Sequence, residues 1–205
     1  HRVCADDPKV VLGLPEVMLG IHPGFGGTVR AVRLAGVATA MDVMLAGKNQ
    51  RPDKALQAGL VDEIVPAGQL RDAAKMLALR PRTRRKAPLS QRVLNLPVVR
   101  ALVAGRIENQ VRRRARKEHD PAPYAIVDLW RRHGASPRTG YEAEAQSVAR
   151  LVCTSTSRNL VRVFFLQERL KGLGDKEPPA GGHVHVVGAG VMGGDIAAWC
   201  ALRGF

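Results

Sequence analysis

Long apolar runs are missing from this sequence, and so are clusters of cysteine and histidine. No stretch approaches the roughly 18 consecutive apolar residues that a membrane-spanning helix needs, and no segment has the basic, apolar and small-residue order of a signal peptide. Cys4, Cys153 and Cys200 are the only cysteines. Far apart and without metal-ligand spacing, they argue against a disulfide framework or a zinc site and are expected to be buried, reduced thiols. A cytoplasmic setting fits them, although residues ahead of His1 could carry an address. Internal repeats and low-complexity tracts are also lacking.

What is present is a 205-residue chain with 45% hydrophobic residues, enough for a real core and for one large or two small domains. From His1 to about Arg80 short strand-like runs alternate with helical patterns. Val37 to Leu45 reads as a helix, Pro52 to Ala58 as a helix with proline in its first turn, Leu60 to Val65 as extended, and Gln69 to Leu79 as a helix. From Pro81 to about Lys171 strand signals fade. Apolar residues recur there at helical spacing in Val98 to Ile107, Ala125 to Trp130, Ala143 to Val152 and Leu160 to Leu170. The glycines and paired prolines of GLGDKEPPAGG, from Gly172, mark a domain boundary, with a new domain opening at His183. The expected division is therefore 1–80, 81–174 and 183–205.

Two stretches carry chemistry. Leu14 to Arg30, LPEVMLGIHPGFGGTVR, places Glu16 after Pro15, at an expected turn or strand edge, and beside the apolar run Val17, Met18 and Leu19. A carboxylate beside such a run can be partly desolvated, which suits it to proton transfer; a solvated glutamate at a strand end is the alternative. Pro23, Gly24, Gly26 and Gly27 let the backbone turn tightly or approach a ligand closely, and Thr28 is expected to cap a helix from Val29 to about Leu34.

Near the other end, HVHVV alternates as a buried first strand would, and Gly188, Gly190 and Gly193 then form GxGxxG ahead of the run Asp195 to Leu202, expected to be amphipathic. In that motif the glycines give a tight turn, close approach of a pyrophosphate and close helix packing, with the phosphate on the helix N-terminus. The acidic residue that would contact the ribose falls at or beyond Phe205.

Basic residues outnumber acidic ones 32 to 18, a formal charge of +14, with Arg82, Arg84, Arg85, Lys86, Arg112, Arg113, Arg114, Arg116 and Lys117 grouped in the middle of the chain. They lack the interleaved aromatics and groove-reading pattern of a nucleic-acid surface, so no nucleic-acid partner is expected. A site for anionic phosphates or an anionic membrane surface, and a plainly solvated arginine-rich helix face, both remain open.

The string PEVMLGIHPGFGGTVR, followed by RLAG and LAGKNQRPDKALQAGLVDEIVP, resembles the second half of a crotonase-fold enoyl-CoA hydratase. PAPYAIVDLWRRHG and SRNLVRVFFLQERL resemble the segment that joins the hydratase to a 3-hydroxyacyl-CoA dehydrogenase in the multifunctional fatty-acid oxidation proteins of the alpha-subunit type. Their dehydrogenase part opens on a similar GAGxMG. The fold implied is α/β: a partial crotonase layer, a helical linker, and the first strand-helix unit of a Rossmann domain.

The resemblance implies hydration of trans-2-enoyl-CoA followed by NAD-dependent oxidation to the 3-ketoacyl-CoA. Glu16 would be a catalytic acid/base, and Gly188, Gly190, Met192 and Gly193 the NAD loop. It also implies an acyl-CoA substrate and, as the family commonly shows, a thiolase subunit as partner. In the hydratases this glutamate works with another about twenty residues earlier, a position that would precede His1. The oxyanion hole is likewise built upstream. Both ends therefore read as cuts through a longer polypeptide, and the isolated chain is expected to be a poor hydratase. A noncatalytic acyl-CoA-binding or protein-interaction module on the same scaffold is the alternative. His22 departs from the family, which often has an apolar residue there, and is expected at the surface.

Overall fold

The computed structural model describes residues 1–80, 87–173 and 182–205. They form two compact units, 1–164 and 165–205. Arg82, Arg84, Arg85 and Lys86, and most of the GLGDKEPPAGG boundary, lie outside the described residues.

The first unit is α/β but mostly helical. Its sheet is a parallel pair, β1 (Val3–Asp6) and β2 (Glu63–Pro66), with Val3 opposite Glu63 and Asp6 opposite Pro66. Parallel neighbours need a long crossover, here supplied by α1 (Gly27–Ala35), α2 (Val37–Ala46) and α3 (Pro52–Ala58). Arg2 fastens the entry to β1: its side chain forms a two-pronged ion pair with Asp62, Nη2 to Oδ1 at 2.7 Å and Nε to Oδ2 at 3.1 Å. Leu12 and Gln50 exchange backbone hydrogen bonds of 2.8 and 2.7 Å, tying the segment ahead of Glu16 to the one after α2.

After β2 the described chain of this unit is helical: α4 (Leu70–Leu79), α5 (Leu89–Val93), α6 (Pro97–Arg112), α7 (Ala122–His133), α8 (Pro137–Val152) and α9 (Ser155–Lys171), the last running on into the second unit. α2 sits at the centre because VATAMDVMLA is apolar on nearly every side. Val37, Ala40, Met41 and Met44 follow helical spacing on one face, Val43 is buried on another, and the helix packs on α1 and α7. Ile126, Val127 and Trp130 of α7 and Ala104 and Val111 of α6 complete this core. A smaller cluster of Cys4, Ala55 and Val61 backs the sheet.

Several boundaries follow their local signals closely. Pro52 opens α3, which ends at the left-handed Gly59, while α2 stops at Gly47. The extended stretch expected from Leu60 narrows to Glu63–Pro66. Of the cysteines, Cys4 alone is buried; Cys153 is exposed and Cys200 half-buried, and all three are free thiols. The middle cations Arg112, Arg113, Arg114, Arg116 and Lys117 lie exposed on the α6 end and the turn after it.

The second unit holds the end of α9 and α10 (Val191–Leu202). HVHVV forms no strand among the described residues. An extended segment becomes a strand only by pairing its backbone, and among the described residues no ladder partner stands beside this one. α10 is not amphipathic as expected: VMGGDIAAWCAL is apolar around nearly the whole helix, with Val191, Met192, Ile196, Trp199 and Leu202 exposed.

Candidate functional site

Pro15 fixes the first turn of a short 3₁₀ helix, Pro15–Leu19, so of the expected turn or strand edge Glu16 takes the turn. Val17 points into the core, whereas Met18 is exposed. One-sided anchoring holds the turn against α2 while Glu16 remains half-buried at its rim. Its Oε2 is buried and has no hydrogen-bond partner among the described residues. A desolvated carboxylate oxygen without a donor is costly in a purely structural role and is well suited to accept or deliver a proton.

The turn ends at Gly20, whose backbone is left-handed with φ +70° and whose N–H donates to the Val17 carbonyl at 3.0 Å. A Cβ on Gly20 would lie 3.2 Å from the backbone N and Cα of Ser157, so the Glu16 turn abuts the first turn of α9.

His22 corrects the surface expectation. It is fully buried, with Nδ1 2.9 Å from the Pro23 carbonyl and Nε2 2.9 Å from Ser147 Oγ. A carbonyl only accepts, so Nδ1 carries the proton and Nε2 accepts from the serine hydroxyl. Burial holds the imidazole below its ordinary pKa of 6.5, against the opposing pull of the Pro23 carbonyl and Glu144. The signal that the sequence hid was Ser147, 125 residues away.

Thr28 is likewise not the cap. Gly26 is the N-cap of α1, Thr28 lies inside its first turn, and the free N–H groups there are met by Glu144 of α8. Glu144 is 1% exposed. Its Oε1 accepts the Gly26 N–H, and its Oε2 accepts both the Thr28 N–H, at 2.9 Å, and the Thr28 hydroxyl. Three donors and the positive end of α1 stabilise this buried anion. No local pattern around Glu144 distinguishes it from Glu142 beside it, which is exposed.

Next to the Glu16 turn lies a largely apolar cavity of about 610 Å³, bounded by Val17 and Met18 of that turn, Met41 and Leu45 of α2, and Val103 and Ile107 of α6. Asp120 stands at its edge with a buried Oδ1 that has no hydrogen-bond partner among the described residues, and burial pushes its carboxyl up. Among the described residues no group of three or more His, Cys, Asp or Glu could hold a metal ion.

In the second unit Gly190 is the N-cap of α10, and Gly188 has φ +121°. A Cβ on Gly193 would fall 1.9 Å from the Gly188 carbonyl oxygen, so the helix meets the preceding turn more closely than any side chain allows. Met192 is exposed in the first turn of α10. Gly188, Gly190, Met192 and Gly193 thus share one turn, in a different unit from Glu16.

Residues 1–120 match the enoyl-CoA hydratase/isomerase family. The chain belongs to that family. Residues 1–120 are accordingly a crotonase-fold α/β segment, and α7 to α10 lie beyond them. Similar solved structures include a carnitinyl-CoA hydratase from Mycobacterium avium, 20% identical, TM-score 0.47, covering 80% of this chain and 51% of that one. An enoyl-CoA hydratase/isomerase from Pseudoalteromonas atlantica is 17% identical, TM-score 0.49, with 80% and 52% covered. Human mitochondrial delta3-delta2-enoyl-CoA isomerase is 19% identical, TM-score 0.46, with 85% and 54% covered. The chain spans about half the length of each.

Proposed function

We propose that this chain supplies a proton-transferring carboxylate, Glu16, to an enzyme that hydrates or isomerises enoyl thioesters of coenzyme A. The observation that carries the reading is the buried Oε2 of Glu16, which no donor among the described residues satisfies, in a chain of the hydratase/isomerase family. Hydration breaks one O–H bond of water, forms C3–O and places a proton on C2. Isomerisation moves a proton between the carbons flanking a double bond. Either reaction needs a carboxylate held at the substrate and out of bulk water. The half-buried 3₁₀ turn supplies that holding for Glu16.

The finer reading is the two-step one, in which trans-2-enoyl-CoA is hydrated and the 3-hydroxyacyl-CoA is then oxidised with NAD. What supports it is the glycine turn at the start of α10, where among the described residues Gly188 and Gly190 leave the backbone bare, Gly193 lets the helix pack on the Gly188 carbonyl, and the helix N-terminus faces the turn. These glycines, with Met192, would hold the pyrophosphate of NAD. The dinucleotide, when bound, supplies hydride-accepting chemistry.

Glu16→Gln in the full-length protein tests the first step. Turnover of trans-2-enoyl-CoA should fall by about two to four orders of magnitude, while oxidation of supplied 3-hydroxyacyl-CoA stays largely intact. Unchanged hydration would remove Glu16 from the mechanism and leave a binding module as the better reading. Equilibrium dialysis against NAD, with Gly190→Val as the comparison, tests the second; equal retention by both proteins would remove the glycine turn from cofactor binding.

A further inference from the structure

The segment from Gly20 to Thr28 is gripped along its length by helices that lie beyond residues 1–120. Gly20 abuts Ser157 of α9, His22 receives the Ser147 hydroxyl, a Cβ on Gly24 would come 3.0 Å from Val148 Cγ1, and Gly26 and Thr28 are held by Glu144. Ser147, Val148 and Glu144 belong to α8, which also meets α1 where Gly140 lies against Val29. Glu144 is the only charged member of this contact face among the described buried residues, and all of its hydrogen bonds go to one end of α1.

That end of α1 bears directly on the Glu16 turn. Between the two residues that Glu144 binds lies Gly27, where a Cβ would fall 2.5 Å from Pro23 Cβ and 3.8 Å from Leu14 Cδ2. Leu14 is the N-cap of the Glu16 turn, and Pro23 lies three residues past its C-cap, Gly20. Fixing Gly26 and Thr28 therefore fixes the surface that Leu14 and Pro23, on either side of Glu16, lie against. We propose that Glu144 is a positioning residue that sets where Glu16 sits, so that α8 acts as the clamp of the proton-transfer site. The proposal rests on the acid/base reading of Glu16.

The chemistry of the clamp is specific. Both carboxylate oxygens are used, and every partner donates. Glutamine would turn an NH₂ group toward at least one N–H or O–H donor, leaving two donors face to face. Valine at Thr28 would keep the shape and the N–H but remove the hydroxyl donor; serine would keep the hydroxyl.

The test uses Glu144→Gln, Thr28→Val and Thr28→Ser in the full-length protein, with two readouts. Amide hydrogen exchange over residues 14–28 should accelerate by about tenfold or more in Glu144→Gln, less in Thr28→Val, and return most of the way in Thr28→Ser. Hydration or isomerisation turnover should follow the same order, with kcat falling by about tenfold or more and KM moving by less than about threefold, because a misplaced acid/base costs turnover rather than binding. Unchanged exchange over 14–28, or accelerated exchange with unchanged kcat, would overturn the proposal. If Glu144→Gln does not fold, the Thr28 pair decides on the same two readouts. Should Glu16→Gln itself leave turnover intact, the acid/base reading fails by that separate result, and exchange over 14–28 alone then decides whether Glu144 holds the segment.

Discussion

His22 Nε2 lies 2.9 Å from the hydroxyl oxygen of Ser147, and both residues are buried. The pair joins the loop after the Glu16 turn to α8 with a hydrogen bond that is directional and fixes one imidazole tautomer, since Nδ1 is committed to the Pro23 carbonyl.

Ser147→Ala should leave the Nε2 lone pair buried without a donor. The expected cost is about 1–3 kcal/mol of folding stability, the penalty of an unsatisfied buried polar atom. Urea unfolding followed by far-UV circular dichroism measures it, and an unshifted midpoint would mean that Nε2 finds another donor.

Stability should also fall on mild acidification. His22 has a folded pKa held below 6.5, chiefly by burial, and it faces Glu144, which favours the proton, and Arg150, which disfavours it. A depressed histidine pKa means that the unfolded chain takes up the proton first. Its contribution is present above pH 6.5 and is lost progressively as pH falls from there toward the folded pKa. Unfolding midpoints at a series of pH values should show this slope in the wild-type protein and a shallower one in His22→Gln; parallel slopes would assign the effect to other groups.

Gly20→Ala should be far more damaging than Gly68→Ala. At Gly20 a methyl group meets both a left-handed backbone and the Ser157 backbone at 3.2 Å, whereas no described residue lies within 4 Å of a Cβ at Gly68. The expected cost is about 2 kcal/mol or more at Gly20 and within about 0.5 kcal/mol at Gly68. Comparable unfolding midpoints for the two variants would show that α9 yields to the intruding carbon.

Asp62→Asn should loosen the β1 edge. Hydrogen bonds from Arg2 hold the Asp62 carboxyl below its ordinary 3.8, against the opposing effect of burial. The stabilisation is therefore fully present above pH 3.8 and is lost as pH falls through the folded pKa. At neutral pH the substitution should cost about 1–2 kcal/mol, given charge-assisted bonds on partly buried groups. Thermal unfolding checks it, with Arg2→Met as the reciprocal variant.

Features set by nearby residues were legible in the sequence. Pro52 and Gly59 bound α3 because one fixes φ for a first turn and the other supplies a left-handed exit. The apolar spacing of Val37 to Leu45 gave α2 to within a residue. Features set across the chain were not. Thr28 has the chemistry of a cap, yet an outside carboxylate from residue 144 took the role and drew the helix start back to Gly27. His22 had no local sign of burial because one of its two partners is 125 residues away. HVHVV has strand propensity, but propensity without a neighbouring strand leaves the backbone unpaired. At the candidate site, Glu16 stood out by its proline and the apolar run beside it, while the grip on its segment lay in α8 and α9.

The parallel register of β1 and β2 has a kinetic consequence. Val3 and Glu63 pair across 60 positions, over only four residues per strand. So short a ladder gains little until that long connection is already compact, and closing it earlier would mean an entropic loss with few contacts in return. The crossover helices should therefore collapse first and the strands zip last, which makes the amides of Cys4 and Ile64 late reporters of folding.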